Sequence, residues 1–117
     1  MRIYKDETWE WIEKKGVQEC PFTGKYLFFS SDRSVLKTIA RKEITLHNFT
    51  CATVLLEPDE KRGKYVLCIY DSNNRRDGEL ALRHAHAEGI EYIGWIGKAI
   101  ELKEFFHKMC VEKKELF

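Results

Sequence analysis

The sequence predicts an α+β domain, a two-layer sandwich in which a mainly antiparallel sheet carries helices packed on it. Three observations point there. Two unbroken apolar runs, Tyr26-Leu27-Phe28-Phe29 and Tyr65-Val66-Leu67-Cys68-Ile69-Tyr70, are rich in aromatic and β-branched residues and closed by turn clusters, the pattern of buried central strands. Segments with apolar residues at three- and four-residue steps separate the strand-like runs. The order after an N-terminal element is strand-helix-strand-strand-helix-strand-helix, the split βαβ pattern of a ferredoxin-like sandwich. That pattern places the two apolar runs side by side in the middle of the sheet.

The chain has 117 residues, which suits one domain with a core of its own. Twenty Lys and Arg stand against 19 Asp and Glu, so a polyanion would have to be met by a local basic patch rather than a global field. No apolar run approaches the roughly 20 residues of a membrane-spanning helix, and the charged start MRIYKDE is unlike a signal peptide, so a cytoplasmic location is expected. Cysteines 20, 51, 68 and 110 include no close pair. Cys51 and Cys68 fall within strands, where a thiol acts as a small buried hydrophobe. His47 and Cys51, and His84 and His86, come near metal-ligand spacing but lie in different elements or point apart, so neither a metal nor a cofactor is expected.

Taken in order, residues 5–15 read as a short amphipathic helix with Asp6 as N-cap, Trp9 and Ile12 on one face, and Gly16 as its left-handed stop. Pro21 forces Cys20 into extended geometry in the connector that follows. After strand 26–29, Ser31 or Asp32 caps a helix to about Leu46, with Leu36, Ile39, Ala40 and Ile44 inward and Asn48 as left-handed cap. Thr50–Leu56 is a strand that Pro58 stops, and the charged turn Asp59–Gly63 joins it to strand 65–70 as a hairpin. Beyond the loop Asp71–Arg76, Asp77 starts a helix through Glu88, with Leu80, Ala81 and Ala85 inward and Gly89 as its end. Residues 91–96 form the last strand, with Gly94 marking a bulge or close approach. Residues 100–114 complete the pattern as a helix with the stripe Leu102, Phe105, Phe106 and Met109. Central strands apolar on both faces need a second cover, for which the two terminal helices or a partner subunit are available.

The succession GKYLFF, helix, strand, KYVLCIYDSNNRRDGELALRHAHAEGI, and a tryptophan before Gly97-Lys98 resembles the basophilic-leukaemia-expressed protein family over about residues 24–107. Its members are also called phosphothreonine lyase domain-containing proteins and look like the translation initiation factor 4E fold. The resemblance implies an antiparallel sheet backed by helices. Cap-binding relatives hold a base between two loop tryptophans. Here Trp9 and Trp11 fall on the expected helix and Trp95 on a strand, so no cap-binding pair carries over.

The loops after the two apolar runs hold the candidate site: Ser30, Ser31 and Arg33 in one, Asp71, Arg75 and Arg76 in the other. Side-by-side strands would bring these hydroxyls and guanidiniums together beside two helix N-termini, an arrangement suited to a phosphate. The expected function is therefore binding of a phosphate-bearing ligand (nucleotide, RNA or phosphopeptide) without catalysis. A self-associating adaptor, for example a homodimer, is the alternative.

A lyase would need a base, an acid and arginines for the leaving phosphate, and Lys98, His84 or His86, and Arg75 or Arg76 supply those types. The expected strand order, with 91–96 running opposite to 65–70, separates Lys98 from the arginines. RNA on the sheet face would use Tyr26, Phe28, Tyr65 and Tyr70 as stacking platforms.

Overall fold

The computed structural model describes residues 1–16 and 22–97. Their elements are β1 (Arg2–Lys5), β2 (Trp9–Glu13), β3 (Gly24–Ser30), α1 (Arg33–His47), β4 (Cys51–Leu55), β5 (Tyr65–Asp71), α2 (Asp77–His84) and β6 (Glu91–Gly97). The six strands form one sheet in the order β1-β2-β4-β5-β3-β6, and every neighbouring pair is antiparallel. With two helices it is an α+β domain, as the segment order predicts. β3 and β5 lie side by side, and β4 joins β5 as a hairpin.

That hairpin closes on Asp59. Its amide donates to the Lys64 carbonyl, its own carbonyl accepts from Gly63, and its carboxylate accepts from the Arg62 amide. Gly63 takes φ 66°, which suits a residue without Cβ.

The N-terminal segment is corrected. Residues 5–15 are not a helix; Trp9–Glu13 is a strand paired with Arg2–Lys5 on one side and β4 on the other. Asp6 does cap backbone amides, those of Thr8 (2.8 Å) and Trp9 (2.6 Å), and its second oxygen accepts from the Trp11 indole N–H (2.7 Å). An aspartate bonded to amides two and three residues on serves a hairpin turn as well as a helix start, so the cap signal is ambiguous. The strand periodicity decides it: Trp9, Trp11 and Glu13 share one face, Glu10 and Ile12 the other.

α1 follows the expected boundaries. Asp32 caps it through the Ser34 amide, and Asn48 (φ 62°) ends it with its own amide on the Glu43 carbonyl. α2 stops at His84 rather than Glu88, because the Ala87 amide bonds back to the His84 carbonyl and tightens the chain into turns that Gly89 (φ 78°) closes.

One face of the sheet packs Ile12, Tyr26, Phe28, Ala52, Val54, Leu67 and Ile69 against Leu36, Ile39, Ala40, Ile44 and Leu80 of the helices. Residues alternating with these build a second cluster of Trp11, Phe22, Cys51, Cys68 and Tyr70, flanked by Tyr4, Trp9, Leu27 and Val66. Both faces are therefore apolar, as the unbroken runs require. Trp9 and Ile12 serve from a strand and on opposite faces, not from a covering helix. Cys51 and Cys68 are buried free thiols. The expected helix 100–114, with Phe105 and Phe106, lies outside the described residues, as do Cys20 and Pro21.

Candidate functional site

β3 and β5 are antiparallel, so their C-terminal loops emerge at opposite ends of the sheet: Ser30 pairs with Tyr65, whereas Asp71 pairs with Gly24. At about 3.4 Å per residue, the six steps from Gly24 to Ser30 separate the loops by about 20 Å. The expected cradle of Ser30, Ser31 and Arg33 with Asp71, Arg75 and Arg76 does not form. The two strands do lie side by side, but adjacency in an antiparallel pair joins the start of one strand to the end of the other.

At the Ser30 end the polar groups serve the fold. The buried Ser30 hydroxyl accepts from the Asp32 amide at 3.0 Å, ahead of the helix cap. Arg33 donates to the Leu55 carbonyl (2.8 Å) and pairs with Glu10 (2.5 Å), to which Lys37 adds a contact at 3.3 Å. Glu10 is buried beneath α1. Burial alone would raise its pKa, but hydrogen bonds and charge from Arg33 and Lys37 outweigh it and hold the carboxyl below its ordinary range. Ser31 is exposed.

At the other end the Asp71–Asp77 loop is built on the Tyr26 hydroxyl, which reaches it from β3. This hydroxyl donates to the Asp71 carboxylate (3.0 Å), has the Asn73 carbonyl as a second acceptor (3.3 Å), and accepts from the Arg76 amide (3.2 Å). Thr23 ties the loop to the start of β3, through its amide on the Asp71 carbonyl and its hydroxyl on the Ser72 carbonyl. Burial pushes the Tyr26 hydroxyl up to about 12; the Asp71 charge adds to this and the Arg76 amide opposes it.

The two loop arginines have different fates. Arg76 lies over the Phe49 ring at 3.8 Å, donates to the His47 carbonyl at the end of α1, and sits 3.5 Å from Glu79. It clamps α1 to α2. Arg75 is exposed and makes no hydrogen bond, ion pair or ring contact among the described residues. Asp77, next along, accepts from the Tyr92 hydroxyl, and burial with that bond drives the Tyr92 pKa upward. Lys14 stands at the same end of the sheet, with its ammonium 3.2 Å from the Asn48 side chain.

The lyase set and the RNA platform are also corrected. β5 and β6 are both antiparallel to β3, so they run the same way, and Gly97 pairs with Gly24 at the Asp71 end. The expected separation of this strand end from Arg75 is therefore wrong; Lys98 itself lies outside the described residues. His84 is tied to Glu43 at 2.9 Å within the helix layer. Tyr26, Phe28 and Tyr65 face the helices and Tyr70 faces the other way, so the four expected stacking rings share no surface.

Two charged centres escape the sequence reading, Glu10 and Glu43, both buried. The signal for Glu43 is present: it falls four residues after Ile39 and one before Ile44, inside the apolar stripe of α1. Among the described residues no group of three or more His, Cys, Asp and Glu could hold a metal ion. No helix among them is long and apolar enough to cross a membrane. No family model, curated protein or solved structure matches the chain.

Proposed function

We propose that the chain is a non-catalytic binding domain whose Asp71–Asp77 loop takes a phosphate-bearing ligand (a nucleotide, RNA or phosphopeptide), with Arg75 as its cation. The observation that carries this is the contrast within the loop. Its backbone is fixed at Asp71, Ser72, Asn73 and Arg76, while the Arg75 guanidinium is left exposed and unpaired among the described residues. With the loop backbone already ordered, an anion that meets this guanidinium has only the arginine side chain left to order. Arg76 and Tyr26 position the loop, Asp71 anchors it, and Ser30, Ser31 and Arg33 have no part.

The finer fold belongs to the same reading. The order β4-β5-β3-β6, with α1 and α2 as the crossovers, supports a ferredoxin-like core widened by the β1–β2 hairpin on the β4 side. The segments GKYLFF and KYVLCIYDSNNRRDGE support kinship with the basophilic-leukaemia-expressed family and its 4E-like sheet. Buried free thiols at Cys51 and Cys68 fit a reducing, cytoplasmic setting.

Calorimetry with nucleotides, short RNAs and phosphopeptides tests the binding. A charge-assisted hydrogen bond is worth about 1.5–3 kcal/mol, so Arg75→Ala is expected to weaken binding by about 10- to 150-fold. Its melting temperature should match that of the wild type, because Arg75 makes no contact that supports the fold among the described residues. Arg76→Ala, by contrast, should lower the melting temperature. No binding to any of the three ligand classes, or unchanged binding by Arg75→Ala, would overturn the proposal.

A further inference from the structure

The sheet has two outer edges, and they are built differently. β1 is four residues long and carries Arg2 and Lys5, the short and charged kind of edge that resists pairing. β6 is seven residues, Glu91-Tyr92-Ile93-Gly94-Trp95-Ile96-Gly97, with no Lys, Arg or Pro. Its one charge, Glu91, lies at its first position, 3.8 Å from Lys64. Among the described residues β6 pairs with β3 alone, so the backbone groups on its outer side are without strand partners. Ile93 and Ile96 are 47% and 41% exposed on this same strand. Among the described residues the edge's protective device is the bulge at Ile93-Gly94 (Gly94 φ 117°), and it bends the strand without charging it.

We infer that β6 is the interface with a second copy of this chain, joined as an antiparallel β6–β6 pair about a two-fold axis. The unpaired backbone groups call for an extended strand, and the distribution of charge selects which one. Antiparallel pairing sends the two Glu91 carboxylates to opposite ends of the seam, whereas parallel in-register pairing would set them against each other. Pairing β6 with the β1 edge of another copy would match seven residues with four. It would also be a head-to-tail contact, which must repeat into a ring or a filament and cannot close as a pair. The two-fold pair closes on itself, leaves the basic edges outside, and removes Ile93 and Ile96 from water. It does not depend on Arg75, so the binding proposal can fail while this one stands.

Sedimentation velocity of the full chain across a wide concentration range tests it, with Ile93→Lys/Ile96→Lys as the matched variant. The wild type should pass from monomer to dimer. The lysine pair should raise the dissociation constant by more than tenfold with an unchanged far-ultraviolet spectrum. Hydrogen exchange on the wild type is the second measurement and needs no variant: outer β6 amides should slow as concentration rises, and β1 amides should not. A wild type monomeric throughout, open-ended growth, a dimer untouched by the two lysines, or β6 exchange independent of concentration would each overturn the inference.

Discussion

Replacing Tyr26 by alanine is expected to lower stability by about 3–5 kcal/mol, the range for truncating a buried aromatic residue. The ring is fully buried, edge-on to Phe49 at 5.7 Å between centroids and 4.8 Å from Trp95. Trp95 itself packs against Gly24 and Gly97: a Cβ on Gly24 would overlap the indole ring, and one on Gly97 would come within 2.7 Å of its nitrogen. Removing Tyr26 therefore takes away a ring that both Phe49 and Trp95 pack against.

Tyr26→Phe separates packing from hydrogen bonding. It keeps the ring and leaves the Asp71 carboxylate and the Arg76 amide without their shared partner, at a cost of about 1–3 kcal/mol. Both variants should speed exchange of the 71–77 amides. Wild-type stability also carries a base-side signature. The hydroxyl stays protonated in the folded chain up to about 12 against an ordinary value of 10.0, so its contribution is complete below 10.0 and is lost as pH rises towards 12. Tyr26→Phe should lack that part of the decline. An alanine variant as stable as the wild type, or identical alkaline profiles for wild type and Tyr26→Phe, would refute this account.

The strands were legible where local pattern and burial agree. Two runs apolar on both faces must be interior strands, and β3 and β5 each have a neighbour on both sides. The middle pair of the sheet, however, is β4 and β5, because β1 and β2 add to the β4 side. α1 was legible to its caps, because Asp32 and Asn48 each satisfy a backbone group by local geometry alone. The β1–β2 hairpin was not, because Asp6 gives the same local signal at a helix start and at a turn. Only the pairing of Trp9–Glu13 with Cys51–Leu55, some 40 residues away, distinguishes the two.

The candidate site failed on direction rather than composition. Knowing that β3 and β5 are neighbours leaves open which loops meet until antiparallel pairing is imposed, and that one step moves Ser30 and Arg33 to the far end. Arginine content could not reveal the division of labour between Arg75 and Arg76. It depends on Phe49 and His47 lying under one of them, which is a fact of the packed structure.

Glu43→Gln should cost about 2–3 kcal/mol at about pH 7, somewhat less than the 3–5 kcal/mol typical of breaking a buried ion pair, because water reaches part of the Arg83 guanidinium. The Glu43 side chain is 1% exposed and that of Arg83 27%. One carboxylate receives the Arg83 Nε at 3.0 Å, its Nη2 at 2.5 Å and the His84 Nε2 at 2.9 Å, so a single group on α1 docks the end of α2. Burial alone would raise its pKa, but the hydrogen bonds of His84 and Arg83, with charge from Arg83 and His47, outweigh it and hold the group below the ordinary 4.5. The sign follows: a lowered folded-state pKa contributes stability that is present above 4.5 and is lost as pH falls below it. Glutamine keeps the shape and removes the charge. Denaturant melts of the two proteins should thus differ most near neutral pH and converge in acid, where the wild-type carboxyl is protonated as well. A gap that stays constant from neutral pH to well below 4.5 would show that packing around residue 43, and not its charge, holds α2 in place.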